Sequence, residues 1–292
     1  MGSPSTSFSL NKKTKTKKEK KMKRTLIAAS LSLSFAIVQA QPHKMPELKD
    51  LNWQMAPAVG KVGEKGEIKL VEPLMFLDAA DTSKFLQFNG NLPRTSSYTI
   101  ATKEGYWFGV LNFVNEGYVK DDEKIDANAL LESLKEGNIH GNDEKRKQGL
   151  DTLILDGWYF PPRYDTETKR LEWGTKLRSE KDQSITVNVT TKILGKSGYI
   201  SAILVSSPES LDKDLVEFKR ALKNFDYVNG EKYSQWKEGD KVAAYGLGAL
   251  VLGGAAAVAT KKGGLKLIWL AILGIGAAIW VGVKKLFNRN KD

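Results

Sequence analysis

An α+β fold is predicted: a largely antiparallel sheet with flanking helices, preceded by a signal peptide and followed by a C-terminal transmembrane helical hairpin. Three observations predict it. Two strand-like stretches, Ser184–Leu194 and Tyr199–Val205, are joined by the short Gly195-Lys196-Ser197-Gly198 turn, which reads as an antiparallel hairpin. Successive strand patterns outnumber the helices that parallel crossovers would need. The chain also begins and ends with apolar segments flanked by basic residues.

In chain order, residues 1–21 form a Lys-rich extension, read as untranslated or disordered and set apart from the fold. Residues 22–40 read as a secretory signal: Lys23 and Arg24, an apolar run from Leu26 to Val38, and a small-residue cleavage site at Val38-Gln39-Ala40. That run is short against the ~20 residues needed to cross a bilayer, which favours a cleaved signal over a retained anchor. Residues 41–239 form the exported globular domain. Residues 240–283 form the membrane anchor, with helices at 242–260 and 265–283, and residues 284–292 form a basic tail. In the first helix Ala249, Gly253 and Ala257 recur every four residues, and in the second Gly274, Ala278 and Gly282 do the same. Such small-residue stripes let two helices approach backbone to backbone in lipid. The alternative is that only the second run spans, because Gly and Ala dilute the first.

The formal charge of +11 belongs to the two ends. Residues 1–25 carry nine Lys/Arg against Glu19, and residues 261–292 carry seven against Asp292, which leaves the middle net acidic by three charges. No nucleic-acid footprint is therefore expected. The absence of cysteine excludes disulfides, thiolate metal sites and cysteine nucleophiles. Two histidines, His43 and His140, are too few for a histidine-based metal centre or triad.

Within the domain, Glu67–Leu77 and Gly105–Val114 read as strands. The latter places Trp107, Leu111 and Phe113 on one face and Tyr106, Phe108 and Val110 on the other, as a central strand would. A helix from Asp126 to about Lys147 buries Ala127, Leu130, Leu131 and Leu134, with Gly137 and Gly141 as potential breaks. Thr152–Phe160 and Arg170–Trp173 read as strands around a turn at Pro161–Lys169. A last helix has Ser207 as N-cap, Pro208 at its first position, and a stripe of Leu211, Leu215, Phe218 and Leu222.

The residues offer few candidates for chemistry. Gly195-Lys196-Ser197 lacks the earlier glycine of a phosphate loop, since Thr190 stands there. Asp121, Asp122, Glu123 and Asp126 form an acidic cluster without the spacing of a calcium loop. Asp156 and Glu172 are a carboxylate pair of unknown separation in space. The most distinctive segment is GWYFPPRYD, Gly157–Asp165. Its Trp158, Tyr159, Arg163, Tyr164 and Asp165 are the candidate binding surface, weighed against core roles for Trp158 and Phe160 and a local ion pair for Arg163. No catalytic set, cofactor or metal is expected.

The segments GYVKDDEKIDANALLESLKEG (Gly117–Gly137), GWYFPPRYD, RLEWGTKLRS (Arg170–Ser179) and GDKVAAYGLGALVLGG resemble the domain-of-unknown-function 2167 family of bacterial membrane-anchored proteins, over about Val59–Phe287. The resemblance implies an envelope protein and supplies no activity. The hairpin followed by an amphipathic helix is also similar, at fold level alone, to the small sandwiches of PsbP-like and Mog1-like proteins. The expectation is a non-enzymatic binding or adaptor module at the bacterial inner membrane. It would face the periplasm, contact the membrane and bind another envelope protein. A carboxylate-dependent hydrolase and a carrier of an apolar ligand are the alternatives.

Overall fold

The computed structural model describes residues 50–105 and 107–253. Apolar residues at alternate positions draw the strands into two sheets. The larger joins β1 (Gln54–Met55), β4 (Leu74–Leu77), β5 (Tyr98–Thr102), β6 (Phe108–Val114), β10 (Tyr199–Ser206), β9 (Ile185–Leu194), β8 (Arg170–Ser179) and β7 (Leu153–Asp165), in that spatial order. The smaller sheet joins β11 (Phe225–Tyr227), β3 (Gly66–Leu70) and β2 (Ala58–Val62). All pairings within both sheets are antiparallel. Four α-helices accompany them among the described residues: α1 (Ala79–Phe88), α2 (Ala127–Lys147), α3 (Leu211–Lys223) and α4 (Leu247–Val251). The α+β class with a mostly antiparallel sheet is thus observed.

Both faces of the large sheet are covered, and this explains its sequence pattern. On one face Ile200, Ala202 and Leu204 of β10 and Trp107 and Leu111 pack against α3 and the small sheet. On the other face the cover is split. Helix α1 lies over Phe108, Val110, Ile203 and Val205 at one end. At the other end, α2 and α4 cover Trp173, Leu177 and Tyr199. Every residue of β10 is buried in consequence. The predicted two-faced burial of the β6 region and the β9–β10 hairpin are both found. The turn between β9 and β10 leaves no room for a side chain at Gly198, where a Cβ would fall 1.9 Å from the Val114 carbonyl oxygen.

Helix α2 begins at Asp126, whose carboxylate accepts the N–H groups of Asn128 and Ala129, and it ends in Lys145-Arg146-Lys147, as the helix dipole favours. Gly137 and Gly141 do not break it. Its buried side adds to Leu130 and Leu134 a pair of asparagines that fix it to the sheet. Asn138 donates to the Leu153 carbonyl and accepts the Leu155 N–H. Asn142 donates to the same carbonyl and accepts the Leu153 N–H. The outward backbone groups of β7, an edge strand, are thereby satisfied at these two residues, where an unpaired edge would invite another chain. Further along, β7 passes through register shifts and Pro161-Pro162, which an edge strand tolerates because its outer N–H groups need no partner strand.

Several expected boundaries differ. The Glu67–Leu77 strand is two strands in different sheets, parted at Pro73, which has no N–H to donate. The expected turn at Pro161–Lys169 is strand as far as Asp165. Helix α3 starts at Leu211 with Ser210 in the N-cap position, after a turn at Pro208–Ser210. The fold also runs past the expected boundary at 239. The Tyr118 N–H donates to the Lys241 carbonyl and the Ala243 N–H donates to the Tyr118 carbonyl, seating this strap on the domain. Residues 242–246 are not helical, α4 spans five residues, and Gly253 has φ +101°. Ala249 and Gly253 therefore do not share one continuous helical stripe. Ala257, Gly274, Ala278 and Gly282 lie outside the described residues, as do the signal peptide, the second anchor helix, the N-terminal extension and the basic tail. Among the described residues no helix is long and apolar enough to cross a membrane.

The fold buries one carboxylate with an electrostatic consequence. Asp214 is fully buried on α3, and one of its oxygens accepts from Ser206 Oγ at 2.6 Å and Ser210 Oγ at 2.7 Å. Its other oxygen has no hydrogen-bond partner. Burial pushes this carboxyl above its ordinary value, against the two hydroxyls, which pull it down. A raised carboxyl binds its proton more tightly in the folded state, so its contribution favours folding in acid and is lost as pH rises through the folded value. Asp214→Asn is expected to stabilise the protein at neutral pH by on the order of 1 kcal/mol. In chemical denaturation at several pH values, the gain over wild type should shrink as pH falls.

Candidate functional site

The predicted binding segment does not converge into a site. Trp158 is half-buried, packs beside α2 and donates its indole N–H to the Ala127 carbonyl at 3.2 Å. Tyr159 is exposed. The Arg163 guanidinium lies 4.4 Å from the centre of the Phe160 ring. Tyr164 donates its hydroxyl to Asp121, and Asp165 accepts the N–H groups of Glu167 and Thr168, closing the β7–β8 turn. An edge strand with alternating sides and several bulges spreads these groups over more than one surface.

The acidic cluster is dispersed in the same way. Asp121 accepts from Tyr164 and from Lys169 Nζ at 2.8 Å. Burial acts to raise this carboxyl, but Lys169 and the hydrogen bonds outweigh it and hold it below its ordinary value. Glu123 accepts the Gly248 N–H of α4, and Asp126 caps α2. Among the described residues no group of three or more His, Cys, Asp or Glu is placed to hold a metal. Asp156 is engaged by Arg178, and Glu172 by Lys219 and Thr191. Asp156 lies on β7 beside Lys176 and Leu177 of β8, about five residues along from Glu172, which puts the two carboxylates on the order of 15 Å apart, beyond the ~5–9.5 Å of glycosidase pairs. Asp214, the carboxyl that burial raises, faces serines in the core rather than a cleft.

A cavity of about 240 Å³ lies instead on the large sheet, where its split cover leaves a gap. The apolar cluster under α1 stops short of the one under α2 and α4, and the sheet face between them is polar. Asn112 of β6, Ser201 of β10 and Lys192 of β9 are cross-strand neighbours in one row. Thr190, Asn188 and Thr175 continue the floor. Leu134 of α2 and Leu250 and Val251 of α4 form part of the opposite wall, with Arg94 and Glu116 at the sides.

Lys192 governs the electrostatics. It is 9% exposed, donates to Ser201 Oγ at 2.8 Å, and holds its ammonium 4.9 Å from the Tyr199 ring centre and 5.9 Å from that of Trp173. The rings offer negative π faces to the cation but no full counter-charge. Burial therefore pulls Lys192 down to about 7; Glu116 resists and Arg94 adds to the fall. Burial also draws Arg94 down to about 10 and pushes the Tyr199 hydroxyl well above its ordinary range. Close by in the field of Arg94, Lys145 of α2 is 4% exposed, and its Nζ has no hydrogen-bond acceptor. Burial lowers it, Asp151 opposes and Arg94 reinforces.

This site escapes a reading of the sequence because Asn188, Thr190 and Lys192 alternate with Val187, Val189 and Ile193, the pattern of a strand with one solvent face. The available signal is the apolar run of the neighbouring strand, Tyr199–Val205, broken only at Ser201, which requires cover on both faces. A second, more open groove of about 570 Å³ passes Tyr118, Tyr233 and Trp236. There the rings already stack on one another, Tyr118 lying 4.4 Å from Tyr233 and 5.0 Å from Trp236.

Fold and site together define a layered α+β domain with a half-enclosed polar cavity between its main sheet and its helices. The chain belongs to the family described as protein of unknown function (DUF2167), whose model matches residues 54–284. No match is found among curated proteins. Among solved structures, the chain is similar to the solution structure of cyanobacterial PsbP (CyanoP) from Synechocystis sp. PCC 6803. That match has 10% identity and a TM-score of 0.34, and covers 61% of this chain and 92% of that one.

Proposed function

We propose that this protein is a non-enzymatic binding module of the bacterial envelope, held at the inner membrane with its globular domain in the periplasm, and that the cavity over Lys192 is its ligand site. The observation that carries the reading is the cavity's polar floor, because a sheet face enclosed under helices is otherwise packed with apolar side chains. Evolution toward stability alone would fill such a gap. The export signal and the apolar C-terminal runs of the sequence support the location. An adaptor role adds another envelope protein as partner, to be sought by crosslinking in intact cells.

The ligand reading is tested by thermal denaturation of the full-length protein, in mild detergent, against a small-molecule set containing anions, cations and neutral compounds. Compounds that raise the midpoint for wild type but not for Asn112→Phe, whose ring would fill the cavity, are the expected result. If no compound separates the two proteins, the cavity is not a binding site.

A further inference from the structure

We infer that the amine of Lys192 captures a short-chain aliphatic aldehyde in this cavity as a reversible imine, with the hydrocarbon part of the ligand against Leu134 and Leu250. The inference rests on the proposed reading that the cavity is the ligand site, and adds the chemistry by which it holds one.

The placement of the amine is the first argument. Lys192 lines the cavity yet is only 9% exposed. Its Nζ donates one hydrogen bond, to Ser201 Oγ, and makes no ion pair among the described residues. Its remaining contacts are with the faces of Tyr199 and Trp173. A buried lysine kept for its charge is paired with a carboxylate. One held in an apolar, aromatic setting without such a partner is an amine made ready to attack a carbonyl. Arg94 and Glu116 at the sides of the cavity have interactions of their own and need not touch the ligand.

Shape is the second argument. Leu134 of α2 and Leu250 and Val251 of α4 wall the cavity opposite the sheet, which suits a hydrocarbon chain better than a sugar or an inorganic ion. A volume of about 240 Å³ lies below the ~300–1,000 Å³ of drug-sized pockets and restricts that chain to a short one.

The chemistry balances with the groups present. The Nζ lone pair attacks the carbonyl carbon, a proton passes from nitrogen to oxygen, and water leaves as the C=N bond forms. Ser201 Oγ, 2.8 Å from Nζ, is close enough to donate a hydrogen bond to the departing oxygen. Hydrolysis reverses the capture, and neither an oxidant nor a reductant is consumed. Attack needs the neutral amine. The titratable groups that face it are Arg94 before β5, Glu116 beyond β6 and Tyr199 of β10, while α2 and α4 present apolar side chains there. Burial is the largest influence and draws Lys192 down to about 7, so about half the molecules carry the reactive form at that pH, against roughly one in a few thousand for an ordinary lysine.

The experiment treats the full-length protein, in mild detergent, with hexanal or glyceraldehyde and sodium cyanoborohydride, which reduces an imine to a stable secondary amine. Peptide mass spectrometry then measures labelling at each lysine between pH 6 and pH 9. With hexanal at pH 7, Lys192 is expected to be labelled at least tenfold faster than Lys61 and Lys176, which are exposed. Above pH 7 that ratio should fall by up to about tenfold per pH unit, because Lys192 is already neutral while the exposed lysines are still losing protons. Glyceraldehyde, which has no hydrocarbon chain for the leucine wall, should show no preference for Lys192. Asn112→Phe, checked for the wild-type circular dichroism spectrum, should remove the preference for Lys192 by filling the cavity. The comparison among lysines of the wild-type protein stands even if that variant does not fold. Labelling of Lys192 no faster than Lys61 would overturn the imine assignment, and an equal preference with glyceraldehyde would overturn the aliphatic one. The binding reading itself would fall only if the wider compound set also failed to distinguish wild type from Asn112→Phe.

Discussion

Phe218→Ala is expected to destabilise the domain by about 4 kcal/mol, within the ~3–5 kcal/mol of aromatic-to-alanine truncations in a packed core. The residue is fully buried on the inner side of α3, with Leu211 and Leu222 on the same stripe. Its ring meets Trp107 edge to face, with centroids 5.7 Å apart, and Trp107 in turn donates its indole N–H to Glu217 of the same helix. The ring also occupies the space that Gly109 leaves open on β6, where a Cβ would fall 2.7 Å from it. Truncation would thus empty a volume bounded by a sheet backbone and an indole, neither of which can collapse into it. Chemical denaturation of the full-length protein, followed by tryptophan fluorescence, measures the loss. Phe218→Leu should recover more than half of it by refilling most of the volume. A loss below about 1 kcal/mol for the alanine variant would mean that α3 is not fastened to the sheet here.

The double substitution Asn138→Leu with Asn142→Leu is expected to cost a similar amount, about 4 kcal/mol, by a different mechanism. It adds apolar area to α2 and removes no core contact. It strands the Leu153 and Leu155 N–H groups and the Leu153 carbonyl in a buried position, at about 1–3 kcal/mol for each unsatisfied group. Amide exchange distinguishes this from a general loosening, since Leu153 and Leu155 should lose protection before the β9–β10 hairpin does. Freed from α2, this end of β7 would present an open sheet edge, so concentration-dependent association in light scattering is expected as well. An unchanged denaturation midpoint would show that water or a shift of α2 satisfies the edge.

These two cases mark what could be read in the residues. The stripe of Leu211, Phe218 and Leu222 declares an amphipathic helix through its spacing, and the structure buries these residues as that spacing requires. Asn138 and Asn142 carry no such declaration. Polar residues four apart on a helix read as a solvent face until it is known that an edge strand lies against them. GWYFPPRYD has an unusual composition, yet its groups serve the edge strand separately: an indole against α2, a guanidinium over a ring, a carboxylate closing a turn. Lys192 carries no signal of its own, because a lysine in an alternating strand is ordinary on an open sheet.

By itself the sequence determined the features that depend on neighbours in the chain. These are the α+β class, the β9–β10 hairpin, the extent of α2, the apolar stripe of α3, the family, and the apolar, basic-flanked ends that make export and membrane attachment the expectation. Tertiary structure decided which polar residues are buried. That depends on where the cover of α1 ends and that of α2 and α4 begins, a matter of contacts between segments more than a hundred residues apart. Only there do Lys192, Ser201 and Asn112 become the floor of a cavity, and only burial beneath helices makes a lysine there an electrostatic site.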